Sequence, residues 1–496
     1  MQPIILFILL LVSAGLAYLP LKSEKILRQI SLGGAVLFTG LAYWLAIPAL
    51  KGEPQFWSHD LWSLDAFSAF MVLLVGGLYL SASFVSYRYL AQEFKEGVLQ
   101  LKQVRLYLLS LPLFILSMFV AIFANNMGVL WVALEATTLT TTFLVAFYTK
   151  DASLEAAWKY IIICSTGIAL GLLGILMFAY AGTSAGSLNA EDVFHLNQLR
   201  LQADTLLPEI VKWAFVFIFI GIGTKVGFVP MHAWLPDAHS KTPSPISAIL
   251  SGVLLNVALY TILRFKLLTD LSLDNTWWTE RFFLTFGILS IVVPAFLIYI
   301  QRNYKRMLAY SSIEHMGLTA FAIGLGPFGM VPALMHMAGH AIGKSLLFFG
   351  AGEIFLRYKT TKIEQVRELM KQSPKTAVLF LLGLLGLLAV PPSALFASEF
   401  LMIGFGMQTH LVLTLIVLVS LTVIFVSMIR HTLSMYFNHD HDHAVLLEEG
   451  HAETWSLSHV IMIAHLLLMV AVGVYFLTVP GIKFMADIAQ TITATL

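Results

Sequence analysis

One cysteine occurs in 496 residues, Cys164. That excludes an internal disulfide and a cysteine-ligated cluster. Charge is nearly as scarce: Asp, Glu, Lys and Arg make up 11% of the chain, where soluble globular proteins carry about 25%. The formal net charge is only +1, with no basic cluster suited to nucleic acid and no glycine-rich phosphate or dinucleotide loop. Neither a nucleic-acid partner nor a bound cofactor is expected, and with them goes any redox chemistry of the chain's own.

Apolar side chains are abundant instead, at 58% of residues, with a mean hydropathy of +0.84. Such a chain lives in lipid. A spanning helix needs about 20 mostly apolar residues, because each residue rises about 1.5 Å through a core about 30 Å thick. By that ruler there are about fourteen candidates, near 3–20, 29–49, 65–87, 106–124, 127–148, 157–181, 211–229, 243–265, 281–300, 306–325, 330–356, 376–408, 410–430 and 456–479. The expected fold is an all-α polytopic membrane protein.

Of the 29 lysines and arginines, 20 fall in loops after odd-numbered spans and 7 in the even loops and tails. The positive-inside rule puts the odd loops in the cytoplasm. An inner (cytoplasmic) membrane protein with both termini on the periplasmic or outer side is expected. The remaining two, Lys225 and Lys344, lie inside spans.

Two spans are interrupted, the seventh by Pro230 and Pro236 and the twelfth by Pro391 and Pro392. Broken helices in corresponding places of two halves point to inverted repeats. Two five-helix repeats fit, helices 4–8 and 9–13. Residues 1–105 then hold the first three helices, 106–265 the first repeat, 281–430 the second, and 456–496 the fourteenth helix and tail.

Ionisable groups in these apolar runs mark candidate sites, since a charge at the bilayer centre costs about 2.5–3.5 kcal/mol even on the lenient insertion scale. Lys225 stands just before the first break, and Glu135 lies mid-helix in Trp131–Thr138. Each is the other's candidate partner, and such a pair can hold or release a proton according to which neighbour is charged. His336, His340 and Lys344 recur at steps of four, so they share one helix face that drifts slowly around the axis. Histidine suits a proton column because it titrates near neutrality. A zinc site on His336 and His340 would need a third ligand, and no HExxH sequence supplies one. Glu399 follows the second break as a terminal station. His232, Asn256, Glu314 and His315 are possible further relay members, although Glu314 and His315, being adjacent, should point to different sides of their helix. The His439–His443 tract reads as a solvated polar loop.

With these residues in hand, Lys225–His239 (KVGFVPMHAWLPDAH), Lys305–Ser312 (KRMLAYSS) and His336–Lys344 resemble the antiporter-like subunits of respiratory complex I and of Mrp sodium/proton antiporters. Asn256, Ser312–Gly317 and Pro391–Phe396 look most like the hydrogenase-4 branch of that family. The resemblance implies fourteen helices with the seventh and twelfth broken. It also implies that Glu135 and Lys225 gate proton movement, with His336, His340, Lys344 and Glu399 carrying it on. Asn256 stands where many members have lysine, and an amide cannot carry a proton at neutral pH.

The implied function is a non-redox, proton-translocating subunit of a complex I-related assembly of the [NiFe] hydrogenase or formate hydrogenlyase type. Its partners would be other membrane subunits of the same complex and the lipid bilayer. An Mrp-type cation/proton antiporter subunit, carrying sodium as well as protons, and a membrane partner in inorganic-carbon uptake would use the same residues.

Overall fold

Apolar stretches of this length fold as helices because lipid offers nothing to hydrogen-bond an exposed backbone. The computed structural model describes residues 3–21, 23–184, 186, 188–189, 192–437 and 453–493, so the His439–His443 tract lies outside the described residues. Among the described residues, ten helices are long and apolar enough to cross a membrane, from Glu24–Leu50 to Leu457–Phe476. Pro3–Tyr18 and Pro374–Leu387 are shorter apolar helical segments. The only strands described form a small hairpin, Gln55–Trp57 against Trp62–Leu64, with Phe56 opposite Ser63.

Two further helices are long enough but not apolar enough for that test, Tyr304–Gly324 and Pro327–Tyr358. They carry Glu314, His315, His336, His340 and Lys344, all of them buried. Residues 307–326 and 332–352 are buried without interruption, as is nearly all of Ser244–Leu273. The polar helices therefore occupy the middle of the protein together with the apolar Ser244–Leu273 span, and apolar helices such as Leu411–Phe437 and Leu457–Phe476 lie outside them.

Both expected breaks are present. Pro208–Val226 ends on Gly227 in the left-handed region (φ 86°), which a residue with a Cβ adopts poorly, and a turn at Met231–Ala233 leads into Trp234–Lys241. Pro374–Leu387 gives way to Ala394–Thr409, whose N-cap Ser393 accepts from the Phe396 N–H at 3.1 Å. A third irregularity had no sequence signal. Leu250–Leu254 is a π-turn inside an otherwise α-helical span. Such turns recur at functional sites because they free backbone groups from the helical ladder.

The Asp151–Ser184 and Pro208–Val226 helices touch backbone to backbone. A Cβ on Gly221 would lie 2.4 Å from the Gly171 nitrogen and 2.6 Å from the Gly167 carbonyl oxygen. Small residues allow this approach, which dispersion contacts hold together in lipid. The crossing sets Lys225 deep against the Met127–Val145 helix.

Ion pairs fasten the ends. Arg264 spans both carboxylate oxygens of Asp65 at 2.6 Å, while Asp65 caps the Ala66–Lys95 helix by accepting from the Ser68 N–H. Breaking a buried pair by removing one partner costs about 3–5 kcal/mol, because the other charge is left uncompensated. Asp65→Ala should lower the thermal midpoint in detergent far more than Lys212→Ala, whose partner Glu209 is exposed.

Glu453 performs the same service for Pro374–Leu387, accepting from the Lys375 and Thr376 N–H groups at 2.6 and 3.1 Å. Burial would raise its carboxyl, but hydrogen bonds from His459, Thr376 and these amides hold it down at about 2. A lowered value means stability that is present above the unfolded carboxyl range, roughly 4.3, and lost as pH falls towards 2. Glu453→Gln should therefore lower the thermal midpoint by a constant amount from pH 8 to pH 6, with the deficit shrinking only in acid.

Candidate functional site

Lys225 lies in the last turn of Pro208–Val226, where the negative end of the helix dipole favours a cation. The side chain is fully buried, and its ammonium donates to the Leu134 carbonyl at 2.8 Å and to Thr138 Oγ1 at 2.5 Å. Leu134 and Thr138 are one turn apart, so a single face of Met127–Val145 supplies both acceptors.

Glu135 follows Leu134 directly but does not touch the ammonium. Its Oε1 accepts from Ser165 Oγ at 2.6 Å, and its buried Oε2 has no partner. The expected pair is therefore a neighbourhood and not a contact. The charge of Glu135 reaches the ammonium across the gap, while neutral groups take up its hydrogen bonds. A carboxylate left with a free oxygen can accept a proton without first breaking an ion pair.

The second cluster is built the same way. Lys344, also fully buried, donates to the Leu308 carbonyl at 2.9 Å and closely to Ser311 Oγ. One turn back along its helix, His340 Nε2 meets the Ser251 carbonyl at 3.1 Å, a group of the π-turn. Another turn on, His336 bridges His315 Nδ1 and Ser398 Oγ, each at 3.0 Å. The three members do not hydrogen-bond one another: Lys344 and His336 reach the Tyr304–Gly324 helix and His340 the π-turn.

Glu399 is only 8% exposed and ends this line. With Glu314 and His315 it lines a cavity of about 280 Å³. Here the sequence reading needs correction: Glu314 and His315 do not point apart, since His315 Nε2 lies 3.6 Å from Glu314 Oε2. Neighbours on a helix are about 100° apart, and side chains this long close that angle at their tips. Ligand atoms of His315, His336 and Glu399 also lie within 4.8 Å of one another. His336 thus finds metal-ligand spacing on other helices and not with His340, as the i, i+4 argument had it.

Asn256 sits between the clusters, its amide N donating to the Gly252 and Met337 carbonyls at 2.9 and 3.3 Å. Its Oδ1 is buried without a partner, as is His340 Nδ1. Unpaired buried polar atoms of this kind are where internal water is held. His232 is half-buried on the break, 6.4 Å from the Tyr310 ring, and touches neither cluster through a hydrogen bond.

Sequence reasoning passed over His239. It is fully buried, stacked at 5.3 Å on Phe348, with both ring nitrogens unpartnered and the charges of Lys344 and Lys305 nearby. Its signal was present in the run that carried the resemblance, but a histidine beside a helix end reads as a surface group.

The arrangement is two buried clusters of hydroxyls, carbonyls, amines and carboxyls, the second with three imidazoles, inside a bundle of largely apolar helices. Residues 124–425 match the family described as NADH:quinone oxidoreductase/Mrp antiporter, TM. The chain belongs to that family of antiporter-like membrane subunits. It is 34% identical over 413 residues to the hydrogenase-4 component F homolog of Methylacidiphilum infernorum, covering 83% of this chain and 85% of the relative. In fold it is similar to a chain of the archaeal membrane-bound sulfane sulfur reductase, with a TM-score of 0.85, 22% identity and 99% and 97% of the two chains covered. It is likewise similar to a chain of the Mrp complex from Dietzia sp., at 0.81 and 16% over 99% and 97%.

If the Gly221 crossing positions Lys225, then Gly221→Leu should disable the chain as fully as loss of the lysine itself. Gly404→Leu, where a Cβ meets nothing within 4 Å, should leave it intact. Proton flux in vesicles, with assembly followed on native gels, distinguishes the two.

Proposed function

We propose that this antiporter-like subunit carries protons across the inner membrane within a complex I-related oxidoreductase of the hydrogenase-4 kind. One observation carries the reading: two fully buried lysines, each docked on a carbonyl and a hydroxyl, each within the field of a carboxyl group left available for a proton. A static ion pair would join each amine directly to its acid. Here a change of charge at Glu135 shifts the balance at Lys225 without dismantling either site.

In this reading, redox chemistry in partner subunits changes the charge next to Glu135. Lys225 responds, and the disturbance passes through the buried centre around Asn256 to Lys344, His340 and His336. Water held by Asn256 Oδ1 and His340 Nδ1 supplies the link that the amide cannot make alone. The proton leaves by way of His315, Glu314 and Glu399 through the cavity at their end. The fourteen helices read from the sequence, with two inverted repeats spanning 106–265 and 281–430, would set the two lysine sites in related halves. The bias of basic loops supports a periplasmic position for both termini in this reading.

Lys225→Ala and Glu135→Ala should each abolish redox-driven proton uptake in vesicles while the complex still assembles. Full uptake by either assembled variant contradicts the role. Sodium-dependent proton flux with no electron donor would transfer the assignment to an Mrp-type antiporter.

A further inference from the structure

A carboxyl group near the end of the Ala66–Lys95 helix would ordinarily reach water, yet Glu93 is only 2% exposed. Tyr148 spans its two oxygens at 2.9 and 3.0 Å, and Tyr89 lies 2.8 Å from the Tyr148 hydroxyl. No cation forms an ion pair with Glu93 among the described residues. Such a group is costly to bury and contributes nothing to the lysine sites already described.

Glu93 and Tyr148 form part of the wall of a cavity of about 670 Å³. At about 30 Å³ per molecule that is room for roughly twenty waters. Exposed Lys150, Lys241 and Lys359 also line it, and they belong to the loops that the charge bias assigns to the cytoplasm. Lys305 lies in the same wall but is 2% exposed, its ammonium donating to the Thr242 carbonyl at 3.1 Å. Glu93 and Lys305 feel each other's charge across this space.

Behind the wall lies His239. Its neighbour Ser240 lines the cavity, whereas its own ring is wholly buried with both nitrogens free. The ring stacks on Phe348, one turn beyond Lys344 on the same helix, and Lys305 donates to the Thr242 carbonyl three residues along from His239, so the charges of both lysines reach it. An imidazole without a hydrogen bond of its own can take a proton on one nitrogen and release it from the other.

We propose that this cavity is the cytoplasmic inlet, with Glu93 as its proton-loading group and Lys305 and His239 as the steps that deliver to Lys344. Once the Lys344 ammonium has given its proton to the column, the proton on one nitrogen of His239 moves to the Lys344 amine, and the Lys305 ammonium gives its proton to the other nitrogen. Glu93, loaded from cavity water, then reprotonates the Lys305 amine through water, so one proton crosses and no electrons are transferred. The lysines at the mouth are solvated and take no part in the transfer. The inlet rests on the proton-carrying function proposed above, and it gives the Lys344 column a supply that does not have to cross Asn256.

The test is redox-driven proton uptake by the assembled complex in vesicles, for Glu93→Gln, Glu93→Asp and Lys225→Ala. Glu93→Gln keeps the shape and the Tyr148 contact but loses the carboxyl. It should slow uptake by about tenfold or more, as removal of a proton-transfer group does, and Glu93→Asp should restore much of it. Normal uptake by Glu93→Gln beside a silent Lys225→Ala overturns the inlet alone. Normal uptake by both overturns the proton-carrying function. Failure of Glu93→Asp to rescue assigns Glu93 a structural role and overturns the inlet as well.

A second measurement avoids Glu93 itself. Ser240→Cys places a thiol in the cavity wall, and the native Cys164 is fully buried. A membrane-impermeant thiol reagent added on the Lys150 and Lys241 side should block uptake in this variant and spare the wild type. Complete labelling without inhibition overturns the proposal.

Discussion

Everything in this molecule depends on holding charged amines buried within the protein. Lys225 and Lys344 solve the problem alike, each donating to one backbone carbonyl and one side-chain hydroxyl of a neighbouring helix. Dipoles of that kind stabilise a cation without fixing its partner. A carboxylate in direct contact would hold each lysine more firmly and would also lock it. The carboxyls stand nearby instead, Glu135 on Ser165 and Glu314 facing the cavity shared with Glu399. Their charges matter to the lysines while their oxygens remain open to protons.

That arrangement dictates the architecture around it. Carbonyls become available only where a helix is interrupted or where hydroxyl-bearing helices pack closely. The break at Gly227 ends one helix two residues after Lys225, and the π-turn at Leu250–Leu254 presents the Ser251 carbonyl to His340. The glycine contact at Gly221 packs the Lys225 helix backbone to backbone on Asp151–Ser184, and the lysine itself docks on Leu134 and Thr138 of the Met127–Val145 helix. The most polar helices are then surrounded by apolar ones, so the cost of burying charge falls within protein and not in lipid.

Much of this was legible in the sequence, because ionisable residues in apolar runs are conspicuous. Lys225, Glu135, the His336–Lys344 column and both breaks could be read from type and spacing. Contacts between distant helices could not. Nothing local tells that Ser165 would take the Glu135 hydrogen bond, or that His315 would reach both His336 and Glu314. The π-turn at Leu250–Leu254 has no compositional mark. Glu93, Lys305 and His239 were hidden by a different effect: near helix ends they read as ordinary interfacial residues, and only the tertiary fold shows them enclosed.

Proton passage needs water in the buried centre, because Asn256 cannot carry a proton and no hydrogen bond among the described residues joins Lys225 to the His340 column. Density maps of the assembled complex, at a resolution that resolves ordered solvent, test this most directly. Water molecules should lie within hydrogen-bond distance of Asn256 Oδ1, His340 Nδ1 and the ring nitrogens of His239, the buried atoms that the protein leaves unpaired. A dry, apolar centre with these atoms still unpartnered would contradict proton passage between the two lysine sites.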